Sequence, residues 1–297
     1  MTQTMALIRR NTKLFFKDKG MLFTAMITPC ILLVLYATFL GNLYRDTFQQ
    51  NIPDFVKISD QLLDGLVGGQ LVSSLLAVSC ITVAFCSNIL MVQDKANGSI
   101  KDLRITPVKT SALSVGYYMA SLISTLLVCL TAAVVCLGYV AVVGWYMSWA
   151  DVCYLLLDVV VLSLFGTALS SVIHFFLSTQ GQIAAVGSIV SAGYGFICGA
   201  YMPIATFSDG LQKVISFLPG TYGTALVRNH AMRGAFQQML DDGVPEEMVN
   251  NLKESLDFFP EFLGKKVEIG GMYAFLGVAI VVLMGIFLLE NLSKKKA

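Results

Sequence analysis

Two histidines, seven cysteines and a few carboxylates inside apolar runs are the side chains of this 297-residue chain that could do chemistry. Their spacing removes most of the options. A phosphate-binding loop needs G-x-x-x-x-G-K-[ST], whose backbone amides cradle the phosphates while the lysine neutralises them. The single Gly-Lys pair, Gly264-Lys265, is followed by Lys266 and has no upstream glycine. His174 and His230 lie far apart, so no H-E-x-x-H zinc motif exists, and no C-x-x-C occurs. The cysteines (30, 80, 86, 129, 136, 153, 198) all sit in or beside apolar runs and read as small buried side chains. Gly193-Tyr194-Gly195 is half of a dinucleotide fingerprint, but it lies within an apolar run, where it cannot open a βα turn. No catalytic residue, metal site or cofactor of the chain's own is expected.

The elements holding these residues are apolar. Hydrophobic residues make up 56% of the chain and charged ones 13%, with mean hydropathy +0.73; a soluble domain carries about 25% charged residues. A helix crosses a bilayer core of about 30 Å with roughly 20 apolar residues. The uncharged runs predict six such spans, near 21–40, 65–92, 112–142, 159–179, 182–208 and 269–289, in one domain covering 1–297. The expected fold is an all-α integral membrane protein. The first run exceeds the roughly 7–15 residues of a signal core and no A-x-A site follows, so it reads as a retained anchor.

Lysine and arginine bias orients these spans. The tail 1–20, the loop 94–109 and the tail beyond 289 share one side and carry 12 basic against 4 acidic residues. The opposite side carries 8 basic against 14 acidic. Both termini are therefore expected in the cytoplasm. The net charge of +1 leaves no basic face for nucleic acid.

Within the tail, Leu7, Ile8, Leu14 and Phe15 can share one helical face opposite Arg9, Lys13 and Lys17. That suits an amphipathic helix in the interface, and a basic stop signal orienting the first span equally well. In the loop 94–109, Gly98 breaks the helix, Ser99 can cap a short helix over 100–105, and Pro107 stops it. Such a helix between two spans is either a mechanical handle or an ordinary turn. Outside, the apolar stretch 211–227 is interrupted by Pro219 and Gly220, as in a broken or re-entrant hairpin that other protein must bury. Pro245, Glu246 and Glu247 then open a small external helix with Met248, Val249, Leu252, Leu256 and Phe259 at helical spacing.

Asp94-Lys95-x-x-Gly98-Ser99-Ile100-x-x-Leu103-x-x-Thr106-Pro107-Val108 resembles the loop of type-2 ABC (ABC-2) permeases that follows their second span. Gly199-x-x-x-Pro203, then Leu218-Pro219-x-Thr221-Tyr222 ending at Arg228, resembles a second signature of that family. Asp94 stands where the family usually has Glu, Ser99 where Thr is more frequent, and the segment 209–268 is longer than in a minimal member. The resemblance implies an exporter of two permease chains, identical or not, and two ABC ATPase subunits holding ATP and Mg, in a prokaryotic plasma membrane. It assigns ATPase coupling to Asp94, Lys95, Gly98, Ser99, Leu103, Thr106 and Pro107, supported by Arg9, Arg10 and Lys13, and an external hairpin to Pro203, Pro219 and Tyr222. It places the substrate path and dimer seam on the second and fifth spans: Ser79, Thr82, Phe85, Asn88, Gly187, Ser191, Tyr194, Gly195 and Gly199.

The residues themselves leave these last roles open. Gly187, Ser191, Gly195 and Gly199 form a small-residue ridge that fits a second chain or the same chain equally. Hydroxyls on the second span suit either a path or helix packing. Burying a charge in a bilayer costs about 2.5–3.5 kcal/mol on insertion scales. Asp158, however, is expected at the outer lip of the fourth span and His174 near its inner end, both without a special role. An apolar path with hydroxyls and few charges suits amphipathic or lipid-like cargo such as a drug, toxin, pigment or lipid precursor. An ATPase-independent secondary transporter or channel is the alternative; a membrane-embedded enzyme lacks a polar cluster to work with.

Overall fold

A computed structural model describes residues 3–50, 58–105 and 108–293. Its helices are organised around one of them. Helix α4 (Asp60–Ala96) is 37 residues long, and 94% of its most apolar window is buried. A helix apolar all round belongs at the centre of a bundle. At 1.5 Å per residue it extends about 55 Å, longer than a bilayer core.

Around α4 stand α2 (Lys19–Leu35), α6 (Thr110–Val143), α7 (Trp149–Phe176), α8 (Gln180–Ile197) and α10 (Pro219–Asp241), with α12 (Ile269–Ser293) packed on α7 and α10. Glycines set the closest approaches. A Cβ at Gly69 would lie 2.7 Å from Met232 of α10, and one at Gly166 of α7 would lie 2.9 Å from the Cys80 carbonyl. Helices α2, α6 and α12 bury little of their apolar surface; Phe23, Val134, Val142 and Val281 are exposed. Side chains of that kind facing outward all along a helix belong in lipid. Five stretches are long and apolar enough to cross a membrane: Lys19–Gln49, Asp60–Ala96, Ser111–Val143, Trp149–Phe176 and Ile269–Asn291. The first runs from α2 through a π-helical turn over Tyr36–Leu40 into α3 (Gly41–Gln50).

Two boundaries differ from the sequence reading, each for a local reason. The run read as a span over 182–208 is a helix only to Ile197. Gly199 takes φ +70°, and the amides of Gly199 and Ala200 close onto the carbonyls of Phe196 and Gly195, the Schellman pattern that ends a helix. This helix is not among the five long apolar stretches. Conversely, α7 begins at Trp149, ten residues before the expected start, because Ser148 and Asp151 form a capping box.

At one end of α4 the chain makes a short helix, α5 (Ser99–Ile105), after Gly98 at φ +79°. The amphipathic helix α1 (Gln3–Lys17) packs on α6 at this end, with Leu7 against Gly116. Its buried face is Leu7, Asn11 and Phe15, whereas Leu14, expected on that face, is exposed. At the other end, α9 (Asp209–Ser216) breaks at Leu218 and α10 starts on Pro219 at its first turn. The small helix α11 (Glu246–Ser255) and a two-stranded ribbon, β1 (Glu261–Phe262) with β2 (Lys265–Lys266), complete that end.

Candidate functional site

Polar groups converge at three levels of the bundle. At the α5 end, Asp94 is 6% exposed and takes two donors from different helices. Arg10 of α1 binds its Oδ2 at 2.8 Å and Tyr117 of α6 donates to the same oxygen at 2.5 Å. The bond to Asp94 raises the guanidinium pKa of Arg10 further, so the guanidinium stays charged. Lys95 reaches the opposite way. Its ammonium donates to the carbonyls of His174, Phe175 and Leu177 at 2.8–3.1 Å, capping the last turn of α7. Two adjacent residues thus fasten the base of α5 to α1, α6 and α7. Leu103 packs on the core, while Ile105 is 85% exposed. Ser99 is the first residue of α5, and Arg9 and Lys13 are exposed on α1. Thr106 and Pro107 lie outside the described residues, as do Lys294 to Lys296.

Above α5, a cavity of about 590 Å³ opens between α2, α4 and α8, with the end of α7 at its edge. Thr82 and Phe85 of α4, Gly187 and Ser191 of α8, Asp18 and His174 line it. The other residues expected on the path sit elsewhere. Asn88 points across α4: its amide nitrogen donates to Ser170 and, at 3.0 Å, to Ser171, and its oxygen accepts from Ser121. The Ser79 hydroxyl and the Tyr194 phenol are buried with no hydrogen-bond partner among the described residues. Gly195 is covered by the ring of Tyr201 and Gly199 forms the turn after α8. The small-residue ridge is therefore split: its first half faces the cavity and its second half packs within the chain.

The third level is the middle of α10. Arg228 is 2% exposed and donates to Gln70 of α4 at 3.1 Å and to the carbonyls of Leu256 and Gly199 at 2.6 Å. His230 Nδ1 meets Asp158 Oδ2 at 2.6 Å, and Tyr273 of α12 donates to Asp158 Oδ1 at 2.5 Å. Asp158 is therefore not at an exposed lip but in the third turn of α7, 1% exposed. The early start of α7 put it there. Sequence reading missed this cluster because its members are 72 and 115 residues apart; the one local sign was the polar run Arg228-Asn229-His230 inside an otherwise apolar stretch. Pro219 starts α10, Tyr222 donates to the Ser216 carbonyl at 2.5 Å, and Pro203 precedes the helical turn 204–206. Below them Asp257 accepts from the Ile204 amide at 2.6 Å, and burial raises its carboxyl pKa above the ordinary value. Among the described residues no group of three or more His, Cys, Asp or Glu side chains could hold a metal ion.

Apolar helices with outward-facing aliphatic side chains, gathered on a buried central helix, define a multi-pass membrane protein. A family profile described as ABC-2 type transporter matches residues 2–231, well over half of the chain, and the chain belongs to that family. It is thus a membrane transporter component of the ABC permease type. A search of curated proteins found no match.

Proposed function

We propose that this chain is the permease subunit of an ABC exporter, driven by a separate ATPase subunit and moving amphipathic or lipid-like cargo out across a prokaryotic plasma membrane. In this reading α5 is the coupling helix, both termini face the cytoplasm, and α8 makes a sixth, shorter crossing. Helices α9 and α10 form an external re-entrant hairpin. Two permease chains and two ATPases assemble, with ATP and Mg held by the ATPases.

The observation that carries the proposal is the divided anchoring of Asp94 and Lys95. A push on α5 reaches α4 directly, α1 and α6 through Asp94 and α7 through Lys95, so one small helix can shift four larger ones together. The exposed Ile105 gives α5 an apolar contact for a partner. Co-expression with an ABC ATPase subunit from the same genome tests this. The ATPase is expected to co-purify, and Asp94→Arg or Gly98→Pro to abolish cargo-stimulated hydrolysis. Transport that persists without nucleotide would reject the exporter.

A second reading has one observation in its favour. The buried Asp158–His230 pair is the kind of group that binds a proton inside a secondary transporter. Uptake driven by a proton gradient alone would establish it.

A further inference from the structure

The cavity between α2, α4 and α8 has a charge character that the exporter reading does not specify. Among the described residues lining it there is no lysine or arginine, and Asp18 is the one formal charge. The ammonium of Lys95, two residues from Gln93, is held by three carbonyls of α7, and Lys17 and Lys19 on either side of Asp18 are exposed and are not among the lining residues. Helix N-termini attract anions through their unpaired amides, but both at this cavity are closed by their own side chains. Asp18 Oδ1 accepts from Gly20 and Met21 at the start of α2, and Thr179 and Gln182 form a capping box on α8. Neither N-terminus offers a seat for an anion.

Acceptors remain instead. The Asp18 carboxylate keeps its second oxygen. His174 Nδ1 contacts the Ser170 carbonyl at 2.8 Å. A carbonyl can only accept, so Nδ1 carries the hydrogen and the free position of the neutral ring, Nε2, is an acceptor. Gln93 and Gln180 add amides that can accept or donate, while Phe85 and Ile183 supply apolar wall. An aromatic face also favours a cation over an anion. The volume lies within the roughly 300–1,000 Å³ of small-molecule sites.

We infer that this cavity binds amphipathic organic cations, the amine near Asp18 and the apolar body along α4 and α8. The inference rests on the exporter reading only for calling the ligand cargo.

The test uses the full-length chain in detergent micelles without ATPase, with fluorescence anisotropy of rhodamine 123, a cation, and fluorescein, an anion of similar shape. Saturable rhodamine binding is expected, with fluorescein at least about tenfold weaker. Asp18→Asn keeps the α2 cap, since an amide oxygen still accepts, and is expected to weaken rhodamine about tenfold. Ser188→Lys, on the opposite wall, carries the same test without touching the cap and is expected to favour fluorescein. Gly187→Phe is expected to abolish rhodamine binding, because a Cβ at Gly187 meets nothing within 4 Å and the ring enters the cavity. Equal affinity for the two dyes, indifference to both charge variants, or binding that survives Gly187→Phe would overturn the inference. Each of those results leaves the nucleotide-dependent transport experiment standing, and failure of that experiment leaves this titration standing.

Discussion

Asp94 shows how a single side chain can be both structural and mechanical. Removing Arg10 leaves a carboxylate that is 6% exposed with Tyr117 as its remaining side-chain donor among the described residues, so Arg10→Ala is expected to cost about 1–3 kcal/mol. Tyr117→Phe should cost about 0.5–1.5 kcal/mol. Because both donors share one oxygen, the double variant should deviate from the sum, and denaturation of the four proteins measures that coupling. Strict additivity would mean the two bonds act independently. Asp257 makes a different prediction. Burial raises its folded pKa above the ordinary value of about 3.9. Its contribution is therefore fully present below that ordinary value and is lost as pH rises through the raised one. Asp257→Asn keeps an oxygen for the Ile204 amide and does not titrate. Melting curves from pH 3.5 upward should show the wild type falling behind the variant as pH increases; a constant gap would contradict the burial argument.

At the scale of elements, packing turns on a few glycines. Gly166→Ala forces a methyl to 2.9 Å from the Cys80 carbonyl and 3.2 Å from Ala84, both on α4. Backbone cannot yield as a side-chain tip does, and the expected cost is about 1–3 kcal/mol. Gly277→Ala on α12 meets nothing within 4 Å and should be neutral or gain up to about 1 kcal/mol from helix propensity. Thermal stability of the two variants checks the contrast, and equal effects would remove the close α4–α7 approach from the account. Run length also decided what could be read in advance. The apolar runs that became α2, α4, α6, α7 and α12 were legible because a bilayer-length stretch without charge has few other uses. Helix α5 was legible from Gly98 and Ser99. Helix α10 was legible only in its first part, where the hairpin reading stopped at residue 227; Arg228, Asn229 and His230 lie beyond it, and only partners on α4, α7 and the segment after α11 make them tolerable inside. The end of α8 was missed because an apolar run continues past the Gly199 turn, and hydropathy is blind to backbone conformation.

At the scale of the whole molecule, orientation is the first thing to test. With a native-cysteine background corrected for, Lys101→Cys should resist an impermeant thiol reagent added outside intact cells, and Lys265→Cys on the ribbon should react. The reverse pattern would invert the topology and remove the coupling role of α5. The family match ends at residue 231, inside α10, yet the bundle shows no seam there. Three consecutive residues stitch across it: Arg228 holds the Leu256 carbonyl, Asn229 holds that of Phe258 at 2.7 Å, and His230 meets Asp158, which also holds Tyr273. A chimera exchanging the outer cap with that of a relative would therefore fail if spliced after residue 231. The splice has to fall before Arg228, and the donor must bring its own counterparts for Gln70 and Asp158.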